Sequence, residues 1–386
     1  MLKMRLLLWI LALSLAVSSC SVDISQNNFA TATLPPTLTA APSDAAAAGP
    51  SGGLASIGDP TLPTFQVPVS WDSLKLTGKL VYTAAGQDGN SAYFRIQALD
   101  LATGQGTTLY QAPSNGFIYF VTVSPDEKEL VMAYSPPPGT DLSAHQELYS
   151  LPLDGSKPPQ LLFIPPTNDD EYFQPEWSAD GKYLYFSHVN YQLHTDPKAH
   201  FPTYEVYRMA FPDGQPQKIV DQAFWPRLSA DLSHLVYVSY SPLDGTNQLF
   251  LANPDGSNPQ QVSISVQGIQ YIDAPIFSPD NQSLFISVVT PTQSYVPGWW
   301  DRLLGVSVAF AHTVPSDWWS VPVTGGSATQ ITHLNAIGLF ASISPDKQYL
   351  VSYSGGGIFV MRPDGTDSTM IINDVGGNPG TVTWIP

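Results

Sequence analysis

The stretch VSPDEKELVMAY at 123–134 returns four more times along the chain: WSADGKYLYFSH at 177–188, LSADLSHLVYVS at 228–239, FSPDNQSLFISV at 277–288 and ISPDKQYLVSYS at 343–354. Each copy is a short apolar run, then Ser-x-Asp, then a segment that alternates apolar and polar residues. Pro presets the backbone of a turn, Asp caps a turn through its side chain, and a following Gly accepts positive φ. Alternation at period 2 marks a half-buried strand. The phrase therefore reads as strand, tight turn, strand.

A second phrase alternates with the first and occurs six times: IQALDLATG (96–104), LYSLPLDG (148–155), VYRMAFPDG (206–214), LFLANPDG (249–256), WWSVPVTGG (318–326) and IFVMRPDG (358–365). Each is followed by a short apolar run. The repeating unit thus has four strands, A to D. The C strand occurs six times, but the A-turn-B phrase is complete only five times. The missing halves lie at the two ends: TGKLVYTA (77–84) reads as a B strand without an A, and GTVTWIP (380–386) as an A strand without a B. Joined, they complete a sixth unit. The expected fold is all-β: a six-bladed propeller of four-stranded antiparallel blades. The carboxy-terminal strand closes it into the amino-terminal blade, which protects the sheet edges that an open array would leave.

The Ser-Pro-Asp phrases resemble the WD40-like (PD40) repeats of the TolB-type six-bladed β-propeller family, over about residues 72–386. The resemblance implies the fold. TolB carries an additional amino-terminal α/β domain, whereas this chain has low-complexity sequence in that place. Some pectate-degrading lyases share this type of propeller and hold a metal through His residues.

The amino terminus reads as an address. Lys3 and Arg5 precede an apolar run, LLLWILALSLAV, at 6–17. That length fits a signal-peptide core better than a bilayer span. Val17-Ser18-Ser19-Cys20 resembles the bacterial lipobox, which implies that residues 1–19 are a lipoprotein signal peptide and that Cys20 is lipidated. The protein is then expected to be extracytoplasmic and membrane-anchored. Residues 20–71, rich in Ala, Ser, Thr and Pro, read as a tether.

Composition narrows the function. Lys and Arg number 15 against 32 Asp and Glu, a net charge of -17. Nucleic-acid binding needs clustered bases, so it is not expected. The single cysteine excludes a disulfide framework and a Cys-based zinc site. There is no G-x-S-x-G, H-E-x-x-H, P-loop or G-x-G-x-x-G.

The A–B and C–D turns are tight and share one face. The long connections 135–146, 188–203 and 289–317 (B–C) and 164–172 (D–A) share the other. Long loops on a rigid scaffold usually carry function, so the long-loop face is the expected binding face for a protein or glycan. Its candidate residues are Asp169, Asp170, Glu171, Tyr172, Trp225, Tyr271 and Asp273, with Trp299 and Trp300 from the Trp-rich insertion at 289–317. The acidic run has oxygen ligands of the kind Ca²⁺ takes. His188, His194 and His200 are candidate metal ligands. The chain is read as a monomeric, non-catalytic binding or scaffold module. The alternative is a propeller-type polysaccharide lyase or glycoside hydrolase with its site at the channel mouth.

Overall fold

Five Ser-x-Asp turns share one geometry. In each, the Ser Oγ donates to the Asp two residues on, at 2.5–2.7 Å: Ser124 to Asp126, Ser178 to Asp180, Ser229 to Asp231, Ser278 to Asp280 and Ser344 to Asp346. The same Oγ accepts the backbone N–H five residues on, at 2.9 Å. The Asp carboxylate accepts the N–H two residues past itself. Each turn is therefore satisfied within its own few residues. The residue after the Asp is left-handed in all five (Glu127, Gly181, Leu232, Asn281, Lys347), with φ between 56° and 71°. Only one copy has the glycine that this conformation favours.

A computed structural model describes residues 62–386, except 89–90, 138–145, 154–155, 191–201, 244, 267, 291–313 and 377–379. These residues belong to one compact unit, Gly53–Pro386.

The turns connect six blades, here ordered from the inner strand outward. Blade 2 is Phe117–Val123, Glu129–Ser135, Glu147–Pro152, Gln160–Leu161. Blade 3 is Asp170–Trp177, Tyr183–Asn190, Thr203–Ala210, Gln217–Asp221. Blade 4 is Ala223–Leu228, Leu235–Tyr240, Asn247–Ala252, Gln260–Gln261. Blade 5 is Tyr271–Phe277, Ser283–Val289, Asp317–Pro322, Thr329–Gln330. Blade 6 is Phe340–Ile343, Leu350–Ser354, Gly357–Met361, Thr369–Ile372. Each inner strand touches the next, and the six form a closed ring.

Blade 1 closes the ring as the repeat count predicts. Its inner strand is the carboxy-terminal Val382–Ile385, antiparallel to Lys79–Asp88 with Leu80 opposite Trp384. Ser91–Asp100 and Gln105–Gln111 follow. The closure is fastened on both sides. Thr381 Oγ accepts the N–H of Val121 in blade 2 at 2.6 Å and donates to the Val121 carbonyl at 2.8 Å. Trp384 stacks on Tyr349 of blade 6 and donates its Nε1 to the Thr77 carbonyl at 3.0 Å. Gly78 sits at φ 84°, where a Cβ would lie 2.3 Å from the Ile385 carbonyl oxygen.

Pairing begins before residue 72. Thr64–Gln66 adds a fifth strand outside Gln105–Gln111. Gly106 leaves the space in which the Phe65 ring lies. Trp71 is buried and donates to the Leu101 carbonyl at 2.9 Å. The last part of the stretch read as tether is therefore folded, because two aromatic side chains find packing against blade 1.

The middle of the channel is filled by aromatic rings. Phe120 packs edge-on against Trp225 and Phe340, with centroids 6.1 and 5.6 Å apart, and Trp225 lies 5.2 Å from Phe340. Three consecutive inner strands bulge at the same register, at Gln174-Pro175, Trp225-Pro226 and Ala274-Pro275. The residue before each Pro is left-handed, with φ 54°, 58° and 45°. This is a costly backbone for a residue bearing a Cβ, and the surrounding sheet must enforce it.

Candidate functional site

Beyond the aromatic plug, toward the Ser-x-Asp turns, the channel widens into an open funnel of about 390 Å³. Every blade contributes the end of its inner strand. One residue per blade, two positions before the Ser of the turn or its equivalent in blade 1, lines the wall: Thr383, Thr122, Glu176, Arg227, Ile276 and Ser342 in order around the ring. The middle residue of each Ser-x-Asp turn also lines the funnel, and all five are small or compact: Pro125, Ala179, Ala230, Pro279 and Pro345. The mouth stays open because no large side chain stands at those positions.

Among the described residues, the ring holds one ion pair, Arg227 to Glu176, across the boundary of blades 3 and 4. The side chains are 14% and 25% exposed, respectively. Burial pushes the Glu176 carboxyl above the usual carboxylate range, against the opposing pull of Arg227. Trp177, the next residue, is buried in the same wall with no partner for its Nε1. Among the described residues, Glu176 is the only acidic one lining the funnel.

The described residues singled out from sequence lie elsewhere. Asp170 is buried at the other end of blade 3. Its carboxylate accepts from the Thr167 backbone N–H and hydroxyl at 2.7 and 2.8 Å, and from the Asn190 amide at 2.9 Å; its Oδ1 also lies 2.8 Å from His188 Nε2. The other nitrogen of His188 lies 2.9 Å from Glu205. Glu205 pairs in turn with Lys218 at 3.0 Å, and Lys218 with Asp221 at 2.7 Å. A ladder of acidic and basic side chains thus crosses all four strands of the blade. Hydrogen bonding from His188 first, and Lys218 after it, lowers the Glu205 carboxyl to about 2. Burial raises the Asp170 carboxyl, but bonds from Asn190, His188 and Thr167 outweigh it and the net direction is down.

This placement explains why the sequence candidates do not form an entrance. Asp170 and Glu171 are consecutive strand residues and face opposite sides of the sheet, and Asp169 is exposed. The acidic run does not converge as Ca²⁺ ligands would. His188 has both nitrogens against carboxylates and its ring between Tyr172 and Tyr207, at 4.8 and 5.2 Å. Among the described residues, no group of three or more His, Cys, Asp or Glu side chains is arranged to hold a metal. Tyr172, Trp225 and Asp273 are buried, and Tyr271 is half-buried. His194, His200, Trp299, Trp300 and Cys20 lie outside the described residues.

Sequence reading missed Glu176 and Arg227. A signal was present: in E-W-S and R-L-S a charged residue stands two places before the turn Ser, where the other copies carry Thr, Ile or Ser.

No family model matches the sequence, and no curated protein does. Among solved structures, the chain is similar to the crystal structure of TolB from Acinetobacter baumannii, with TM-score 0.56 and 15% identity, over 79% of this chain and 66% of that one. It is similar to a putative TolB from Agrobacterium tumefaciens, with TM-score 0.50 and 16% identity, over 81% and 99%. It also resembles Kuenenia stuttgartiensis hydrazine synthase, with TM-score 0.54 and 11% identity, over 80% and 47%. The chain spans just under two thirds of the first and about half of the third. At these identities the likeness is one of fold, that of the TolB-type propeller.

Proposed function

We propose that the chain is a membrane-anchored, extracytoplasmic lipoprotein whose propeller is a monomeric, non-catalytic binding module for a protein or glycan. The observation that carries the binding reading is the funnel: six inner strands meet around an open cavity whose rim is kept clear by five small turn residues. A rigid concave site with few polar groups is the usual form of a ligand site. The proposed place of the ligand is therefore the short-turn face, in place of the long-loop face expected from sequence. Anchoring rests on the Val17-Ser18-Ser19-Cys20 sequence.

The test is to fill the mouth. Ala230→Trp places a large side chain on the rim at an exposed position. Cross-linked capture from the envelope fraction of the producing cell, together with a glycan array, should return a ligand that the wild type holds and the variant loses, at unchanged melting temperature. Equal capture by both proteins would place binding elsewhere. For the anchor, labelled palmitate should enter the wild type and not Cys20→Ala; label in the variant refutes lipidation at Cys20.

A further inference from the structure

We propose that the funnel receives a carboxylate and that Arg227 holds it; this rests on the funnel being the binding site proposed above. A guanidinium carries five N–H donors in a planar fork. Among the described residues Arg227 has one acceptor, Glu176, and its Nε is buried with none. Buried polar groups in folded proteins are nearly always paired, so this side chain is short of acceptors where the cavity opens beside it. The Nε itself lies below the cavity surface, but the side chain keeps 14% exposure and a guest entering the mouth can supply acceptors to the terminal nitrogens of the guanidinium. A carboxylate does so best, because its two oxygens match the fork.

The rest of the wall is biased the same way. Thr122, Ser342 and Thr383 bring hydroxyls to the ring, and Lys347 stands among the lining residues on the exposed rim. A cationic guest would have only Glu176 to meet, with Arg227 beside it as a like charge. Burial acts against the charged form of Glu176, which loosens its hold on the guanidinium. Ile276 and Phe277 offer an apolar side to the carbon body of the guest. The net charge of -17 slows the approach of an anion but leaves the strength of the contact to local geometry. The volume admits an end group: a peptide terminus or acidic side chain, or a sugar acid.

Calorimetric titration of the full chain separates these cases. The probes are an N-acetylated tripeptide with a free carboxylate, the same tripeptide amidated, and glucuronate. At least one carboxylate probe should bind saturably. The peptide and sugar arms identify the source of the carboxylate, and if the peptide is the guest its amide should bind about tenfold more weakly or worse. Arg227→Lys keeps the charge without the fork and should weaken binding about tenfold. Glu176→Gln frees the guanidinium and should bind as tightly as wild type or more so; this second variant serves even where Arg227→Lys fails to fold. Three results would overturn the inference: no saturable binding of either carboxylate up to about 10 mM, equal binding of acid and amide, or a Glu176→Gln variant that binds more weakly. If Ala230→Trp abolishes capture of a ligand while the carboxylate probes are ignored, the funnel remains the binding site and only the carboxylate inference falls.

Discussion

Blade 3 carries buried charge at both of its ends, and the two ends are built to opposite rules. At the long-loop end, Asp170, His188, Glu205 and Lys218 satisfy one another along a ladder in which both oxygens of each carboxylate have partners. At the short-turn end, Glu176 meets Arg227 of the next blade in a single contact and the Arg227 Nε is left without an acceptor. Both ends look alike as sequence, a few charged residues in an apolar strand. Saturated buried charge holds a blade together, while under-partnered charge beside a cavity leaves interaction free for a guest.

The contrast is most sharply broken at His188. Replacing it with Ala leaves Asp170 and Glu205 facing each other without the ring between them. The expected loss is about 3–5 kcal/mol, read from denaturant unfolding. A loss under about 1 kcal/mol would show that the ladder is not structural. The funnel pair should behave otherwise. Glu176→Gln with Arg227→Met removes both charges together and should change stability by no more than about 1 kcal/mol, while removing the binding described above. A large loss would make the funnel pair a blade-to-blade strut like the ladder.

Acidity separates the two ends by sign. Glu205 has its carboxyl lowered from 4.5 to about 2, so its contribution is complete above pH 4.5 and is lost as pH falls toward 2. The gap in melting temperature between wild type and Glu205→Gln should narrow over that interval. Glu176 is raised: the folded state holds its proton more firmly than the unfolded one, so its contribution fades as pH rises past the folded value. Glu176→Gln should gain on wild type as pH rises from 4.5. A common trend in both pairs of curves would erase the distinction.

The smallest expected effect lies in the turns around the funnel mouth. Leu232 takes the left-handed conformation that Gly181 takes in the neighbouring blade. Leu232→Gly should stabilise by up to about 1 kcal/mol, seen as a small rise in melting temperature. A fall would mean that the Leu232 side chain contributes more than its backbone costs.

The architecture was legible because its signals are local. Ser124 with Asp126, and each later copy of that pair, closes a turn with no help from distant residues, and period-2 alternation sets the flanking strands. The closure was legible from arithmetic, as a half unit at each end. Trp71 reads as tether from sequence because the packing partner it finds in blade 1 is invisible beside a Pro- and Ala-rich stretch. His188 was grouped with His194 and His200 by spacing, whereas its contacts are Asp170 and Glu205 on the strands to either side.

The residues alone specify six four-stranded blades and the means of closing them, since turn chemistry and strand periodicity act over a few residues. Only the tertiary structure decided which charges are spent and which are open. Glu176 and Arg227 are 51 positions apart, and they meet because closing the ring sets neighbouring inner strands side by side at one register.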